Sequence, residues 1–273
     1  MTRYYVYDVF TEKVFGGNKL AVFPDATALP EGKLQLIARE FNFSEVTFVY
    51  PPADPAHSAE VRIFTPTMEV PFAGHPVIGT AIALHDLHGW TEQQLELGVG
   101  TLPCTIEHGA ARFTTSVPLE ILSRPDPALV ARCLSLPSVV GQPVQATLGL
   151  PFVLAEVTDR AALAAIKPDL TAVREGATLH PAGLDFAIFA YVRTGNRIDA
   201  RMFAPLDNIN EDPATGSASA TLCAYLAAGN PLTLDIHQGE DMGRPSHIHA
   251  ATGGTSVTIG GKAVKVMEGQ LVL

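Results

Sequence analysis

Arg62-Ile63-Phe64-Thr65-Pro66, followed by Ala73-Gly74-His75-Pro76-Val77-Ile78-Gly79-Thr80-Ala81, returns later in weaker form. The second copy is Arg201-Met202-Phe203-Ala204-Pro205, followed by Ala214-Thr215-Gly216-Ser217-Ala218-Ser219-Ala220. Each reads R-x-F-x-P, a short loop, then a glycine and small residues that open a helix. The arginines lie 139 positions apart and the glycines 142, as a three-residue loop insertion gives. Self-similarity at a fixed offset marks a duplicated architecture, so the spacing predicts two similar lobes. Pro and Ser accumulate over 114–127, which sets a first lobe over 1–117 and a second over 118–273, leaving open a return of the final strand to the first.

Outward from the repeat, Pro and Gly punctuate short apolar runs at intervals typical of strands joined by turns. Residues 4–10 and 20–23 read as strands on either side of the Gly16-Gly17-Asn18 loop. Leu34, Ile37, Ala38 and Phe41 share one helical face, with Asn42 as the stop, and strand character returns over 46–50. Glu45 therefore stands at a helix-to-strand joint. In the second lobe the pattern predicts a strand over 148–157, a helix over 161–166 and paired strands over 186–192 and 197–203. The chain end, Val257-Thr258-Ile259, Gly260-Gly261, Ala263-Val264-Lys265-Val266, reads as a hairpin with a glycine turn.

At 273 residues the chain has enough length for a sizeable core without staples. Its three cysteines, Cys104, Cys133 and Cys223, are widely spaced and form no CxxC pair, which points to reduced thiols in the cytoplasm. No basic, apolar leader opens the chain, and no apolar run reaches membrane-spanning length. With 28 acidic and 18 basic residues the formal charge is −10, which disfavours nucleic acid and anionic membranes as partners. An anionic substrate must then be attracted locally.

The two helix starts offer that attraction. Gly74 lets a ligand approach the backbone, Pro76 suits a first turn, and the free N–H groups with the positive helix end suit a carboxylate or an enolate oxygen. Asp212, Thr215, Gly216 and Ser217 repeat the arrangement; tight turns and a capping aspartate are the plainer explanation of each motif alone. Lobes packed face to face would bring both helix ends to one cleft. Glu45 precedes the apolar run Val46-Thr47-Phe48-Val49, where a half-buried carboxyl has its pKa raised into the range useful for proton transfer, although a solvated strand edge is the commoner role. The 139-residue offset sets Leu184 opposite Glu45, so only the first lobe supplies a carboxylate there. His75 at the helix start is either a turn cap or a partner for a substrate heteroatom, and Asn18 either a turn residue or a substrate contact. His85 and His88 on the first helix, and His237, His247 and His249 near the end, lack ligands at metal-binding spacing and read as surface groups. Arg244 in Gly243-Arg244-Pro245-Ser246 fits an exposed turn as well as an anion contact.

Asp8-Val9-Phe10-Thr11, Phe15-Gly16-Gly17-Asn18, the run 37–45 ending in Ser44-Glu45, Arg62-Ile63-Phe64-Thr65-Pro66, Pro71-Phe72-Ala73-Gly74-His75-Pro76, Glu211-Asp212-Pro213-Ala214-Thr215-Gly216-Ser217-Ala218 and Gly243-Arg244-Pro245-Ser246 together resemble the PhzF-like phenazine biosynthesis family. The resemblance spans nearly the whole chain in order. It implies an α+β, diaminopimelate epimerase-like fold of two pseudo-symmetric lobes, each a barrel-like, mostly antiparallel sheet around a central helix. It also implies a homodimer, no metal or organic cofactor, and an isomerase that moves a proton on a small cyclic or amino-acid-like carboxylate. Phenazine-pathway members isomerise trans-2,3-dihydro-3-hydroxyanthranilate with a glutamate.

Carried over by motif, that glutamate is Glu45. His75 and Asp212 then assist proton traffic, and Asn18, Gly74, Gly216 and Ser217 contact substrate. Related racemases carry a cysteine at each helix start, where this chain has Ala73 and Thr215. In this chain Lys19 replaces the proline that commonly follows the loop asparagine, which bears on the stiffness of that loop. Two alternatives stand beside the isomerase: an epimerase or racemase of another amino or hydroxy acid, and a non-catalytic carboxylate-binding protein.

Overall fold

The chain is seen in a computed structural model that describes residues 1–183 and 185–273; Leu184 lies outside the described residues. It divides into two compact units, Met1–Thr114 with Ile259–Leu273, and Thr115–Thr258.

The first unit runs β1 (Thr2–Val9), β2 (Asn18–Phe23), α1 (Leu34–Phe41), β3 (Glu45–Tyr50), β4 (Ala59–Phe64), β5 (Glu69–Val70), α2 (Gly74–His88), β6 (Glu92–Leu97), β7 (Gly100–Glu107) and β8 (Ala110–Thr115). The β2–β3 and β4–β6 pairs are parallel, each joined through a helix, and β1–β2, β3–β4, β6–β7 and β7–β8 are antiparallel. Helix α2 is apolar on every side and its residues Gly74 to Leu84 are all buried, as expected of a helix enclosed by sheet. It packs on β1, β2, β3 and β7. Gly79 permits that approach, because a Cβ there would lie 2.6 Å from Leu20 Cδ2 and 2.7 Å from Val9 Cγ2. Thr80 donates to Thr47 at 2.9 Å, Gln93 to the Ala81 carbonyl at 2.8 Å and Tyr7 to Asp86 at 2.8 Å, so the helix is pinned along its length. On the outside, α1 lays Leu34, Ile37 and Ala38 on an aromatic layer that includes Phe23, Phe48 and Phe64. Asn42 ends α1 in the left-handed region at φ 51°, a conformation asparagine tolerates.

The second unit runs β9 (Glu120–Ser123), α3 (Pro127–Cys133), β10 (Val140–Thr147), β11 (Pro151–Glu156), α4 (Arg160–Ala165), α5 (Leu170–Leu179), β12 (Ile188–Thr194), β13 (Arg197–Ala204), β14 (Ile209–Asp212), α6 (Gly216–Ala227), β15 (Leu232–Gln238) and β16 (Ser246–Thr252). Its sheet repeats the connectivity of the first unit. The β11–β12 and β13–β15 pairs are parallel, and β10–β11, β12–β13 and β15–β16 are antiparallel. Helix α6 takes the place of α2 and packs on β10, β11, β15 and β16. Helices α3, α4 and α5 cover the opposite face through Leu129, Leu163 and Val173.

The last strand, β17 (Val257–Leu271), corrects the expectation of a terminal hairpin. It is one continuous strand that pairs antiparallel with β1 and also pairs with β8, closing the first unit into an eight-stranded barrel. Gly260 does not turn the chain. A Cβ there would lie 2.7 Å from Arg112 Cγ and 3.2 Å from the Ala111 carbonyl oxygen, so this glycine serves a close crossing over β8.

The R-x-F repeat is a clamp in both units. The Arg62 guanidinium sits 5.3 Å from the centre of the Phe64 ring and bonds Glu69 of β5. The Arg201 guanidinium sits 4.8 Å from the Phe203 ring and bonds Glu211 of β14.

Candidate active site

In the first unit, the loop between β1 and β2 begins with Phe10 at φ 64° and ends with Gly17 at φ 54°. A Cβ on Gly17 would lie 2.1 Å from the Val9 carbonyl oxygen, so only glycine fits. The Phe15 N–H donates to Asp8 at 2.6 Å, and the Phe10 N–H to the Lys262 carbonyl at 2.7 Å. These bonds tie the loop down with lysine at position 19. Asn18 opens β2, is 2 % exposed, and accepts a hydrogen bond from Ser44 at 3.3 Å.

Ser44 is the residue before Glu45, and Glu45 pairs with Leu20 in the parallel β2–β3 register. Glu45 is half-buried, and its Oε2 lies 3.2 Å from His75 Nδ1, so the structure joins two of the residues singled out in the sequence. His75 occupies the first turn of α2 and is 6 % exposed. Burial pushes its pKa down to about 3 against the pull of the Lys19 carbonyl, so the ring is neutral at ordinary pH. The positive helix end works in the same direction. With two oxygen acceptors beside the ring and no hydrogen-bond partner on Nε2 among the described residues, the proton belongs on Nδ1. That leaves a buried Nε2 lone pair as an acceptor. Ala73 precedes the helix in extended conformation and makes no side-chain capping bond, so the first-turn N–H groups beside Gly74 keep their anion-binding character.

In the second unit, Asp212 ends β14 and is 7 % exposed. Its Oδ2 accepts from the Thr215 hydroxyl at 2.5 Å. Gly216 and Ser217 form the first turn of α6, Gly216 buried and Ser217 half-buried. Sequence reasoning missed Gln238, the 1 % exposed last residue of β15. Its amide oxygen accepts from the Thr215 N–H at 3.1 Å, while its nitrogen donates to the Asp212 carbonyl at 2.7 Å and to Thr215 Oγ1 at 2.9 Å. A glutamine in line with the alternate apolar positions Leu234 and Ile236 was the available signal. Ser246 adds a brace, donating to the Pro213 carbonyl at 2.8 Å.

The other candidates have contacts of their own. His85 bonds the Trp90 carbonyl and His88 stacks on Trp90. His237 and His247 stack at 4.9 Å, and His247 and His249 both approach Asp235 at 3.4 Å. Among the described residues no group of three or more His, Cys, Asp or Glu is arranged to hold a metal ion. The cysteines are free and buried, and burial raises the thiol pKa of Cys104 and Cys133 to about 12 and of Cys223 to about 11. No helix among the described residues is long and apolar enough to cross a membrane.

Comparison with known proteins agrees with this arrangement. Residues 7–269 match the PhzC-PhzF family model, described as phenazine biosynthesis-like protein. An uncharacterised isomerase of Mesorhizobium japonicum is 38 % identical, with 99 % of each chain covered. The trans-2,3-dihydro-3-hydroxyanthranilate isomerase of Pseudomonas aeruginosa is 35 % identical over the full length of both chains. The solved structure of a predicted epimerase from Pseudomonas aeruginosa superposes with a TM-score of 0.81 at 32 % identity, with all of both chains covered. A match of this extent leaves one assignment: the chain belongs to the PhzC-PhzF family of phenazine biosynthesis-like proteins and is an isomerase.

Proposed function

We propose that this isomerase moves a single proton on a small cyclic carboxylate, trans-2,3-dihydro-3-hydroxyanthranilate or a close relative, with Glu45 as the acid/base group. The observation that carries the reading is the Glu45 carboxylate 3.2 Å from a buried, neutral imidazole whose second nitrogen has no partner among the described residues. The Glu45 carboxylate takes a proton from one ring carbon, the C–H electrons shift into the ring π-system, and the same carboxyl returns the proton at another ring carbon. The enol so formed tautomerises to the ketone. His75 accepts from a substrate hydroxyl or amine through Nε2, Asn18 orients the ring substituents, and Gly74, Gly216 and Ser217 supply donors to the substrate carboxylate. Asp212 meets the amine or hydroxyl.

A two-thiol racemase is not favoured, since Ala73 and Thr215 precede the helices and all three thiols are buried. Buried reduced thiols support a cytoplasmic protein, and the family resemblance supports a homodimer.

The test is Glu45→Gln assayed with trans-2,3-dihydro-3-hydroxyanthranilate, with product followed by absorbance and mass. Turnover should fall by roughly 10²- to 10⁴-fold, the usual worth of a positioned acid/base group, with the melting temperature and substrate affinity held near wild type. Wild-type turnover in Glu45→Gln removes the assigned role of Glu45. A wild-type protein that binds this compound and leaves it unchanged removes the proposed substrate and favours a binding protein.

A further inference from the structure

Both units bring a glycine against the proline that precedes the central helix. A Cβ on Gly98, just after β6, would lie 2.8 Å from Pro71 Cα, and one on Gly239, just after β15, would lie 2.7 Å from the Pro213 carbonyl oxygen. The strand registers carry the match further. Ile63 pairs with Val70, and its counterpart Met202 pairs with Asp212. Glu60 pairs with Glu96, and its counterpart Asp199 pairs with His237, so Leu97 stands where Gln238 stands. Ala73 and Thr215 precede the two helices. An apolar trio, Val70, Ala73 and Leu97, is thus replaced by a polar one, Asp212, Thr215 and Gln238, at matching strand registers.

Backbone partners fix the sense of the hydrogen bonds around Gln238. The Thr215 N–H can only donate and the Asp212 carbonyl can only accept, which fixes which end of the Gln238 amide is oxygen. The amide nitrogen also donates to Thr215 Oγ1, and the threonine hydroxyl donates its own proton to Asp212 Oδ2, 2.5 Å away. Asp212 is thereby addressed as an acceptor. All three groups are buried, where a polar set costs stability unless every member is satisfied. The first unit begins its central helix without any of them.

We infer that Thr215 and Gln238 are positioning residues, which hold the Asp212 carboxylate as an oriented acceptor for a donor group of the substrate. The inference rests on the function proposed above. It separates the labour of the two units: Glu45 and His75 handle the proton, while Asp212 receives a substrate amine or hydroxyl and gives up no proton.

Three variants test it: Thr215→Val, which keeps shape and loses the hydroxyl, Thr215→Ser, which restores it, and Gln238→Leu, which installs the side chain of the first unit. With trans-2,3-dihydro-3-hydroxyanthranilate as substrate, Thr215→Val and Gln238→Leu should lose roughly tenfold to a hundredfold in kcat/KM, as expected for a lost hydrogen bond to a charged group. Thr215→Ser should stay within about threefold of wild type, and Thr215→Val should melt within about 4 °C of it. A purely structural threonine would show the reverse, a lowered melting temperature with kcat/KM intact, and that result overturns the proposal. If Gln238→Leu does not fold, the threonine pair decides. If the wild-type protein does not turn this compound over, the function reading fails by itself, and amide hydrogen exchange decides the positioning. The Thr215 N–H should then exchange at least about tenfold faster in Gln238→Leu than in wild type, and an unchanged rate overturns it.

Discussion

Arg62 and Arg201 occupy the same place in the two units and do unequal work. Each lies over a phenylalanine and grips the glutamate of the next short strand in a fork of two bonds. The Arg62 side chain is 23 % exposed and shares its charge with Glu31, itself 72 % exposed. Arg201 is 10 % exposed, and its remaining nitrogen donates to the carbonyls of Leu163, Ala164 and Ile166 at the end of α4. The duplicated motif is therefore a surface clamp in one unit and a buried junction in the other. Glu45 shows the same asymmetry. Val46 pairs with Phe64 and Ile188 with Phe203, so the register counterpart of Glu45 is Ala187, three residues beyond Leu184. What the duplication preserved is connectivity and strand register; the chemistry was distributed to one unit or the other.

The sharpest way to break the comparison is Ala187→Glu, which copies the first unit into the second. Ala187 is 1 % exposed and Ser217 stands in the place of His75, so the new carboxylate has no imidazole partner. Destabilisation of about 4 kcal/mol or failure to fold is expected, measured by urea unfolding. A stable, soluble Ala187→Glu protein would show that the second unit can accept an acid there.

Next come the arginines. Arg201→Ala strands a mostly buried glutamate and three carbonyls and should cost about 3 kcal/mol, whereas Arg62→Ala should cost under about 1 kcal/mol because exposed ion pairs contribute little. Equal losses in chemical denaturation would erase the distinction.

A pH limb carried by the first unit sharpens the comparison in a different variable. His75 has its folded pKa depressed to about 3 from the ordinary 6.5, so protonation favours the unfolded chain. Its contribution is complete above pH 6.5 and is lost as pH falls from there toward 3, at about 1.4 kcal/mol per pH unit. Unfolding at pH 6.5, 5.5 and 4.5 should show a flatter acid limb in His75→Gln than in wild type. Equal slopes would remove His75 as its source.

Much of the fold was legible because it is local and repeated. The face formed by Leu34, Ile37 and Ala38, the stop at Asn42 and the strand that follows were read in place and are found in place. The Gly260-Gly261 pair misled because the same residue serves a turn or a close crossing, and only the neighbouring strand tells which. The partnership of Glu45 with His75 was foreshadowed by motif, but the contact joins residues 30 positions apart and depends on how β3 lies against α2. Gln238 was missed because its place in line with Leu234 and Ile236 signals only burial, and its partners Asp212 and Thr215 are brought to it by the fold.

By itself the sequence determined the duplication, the helix starts, the absence of cysteine at those starts and a glutamate at position 45 with no carboxylate at its counterpart, because these follow from residue identity and spacing along the chain. Tertiary structure decided the rest: the closure of the first barrel by the last strand, the neutral state of His75, and the orientation of Asp212 through Thr215 and Gln238. Burial and hydrogen-bond direction depend on which distant segments meet, and no local pattern encodes that.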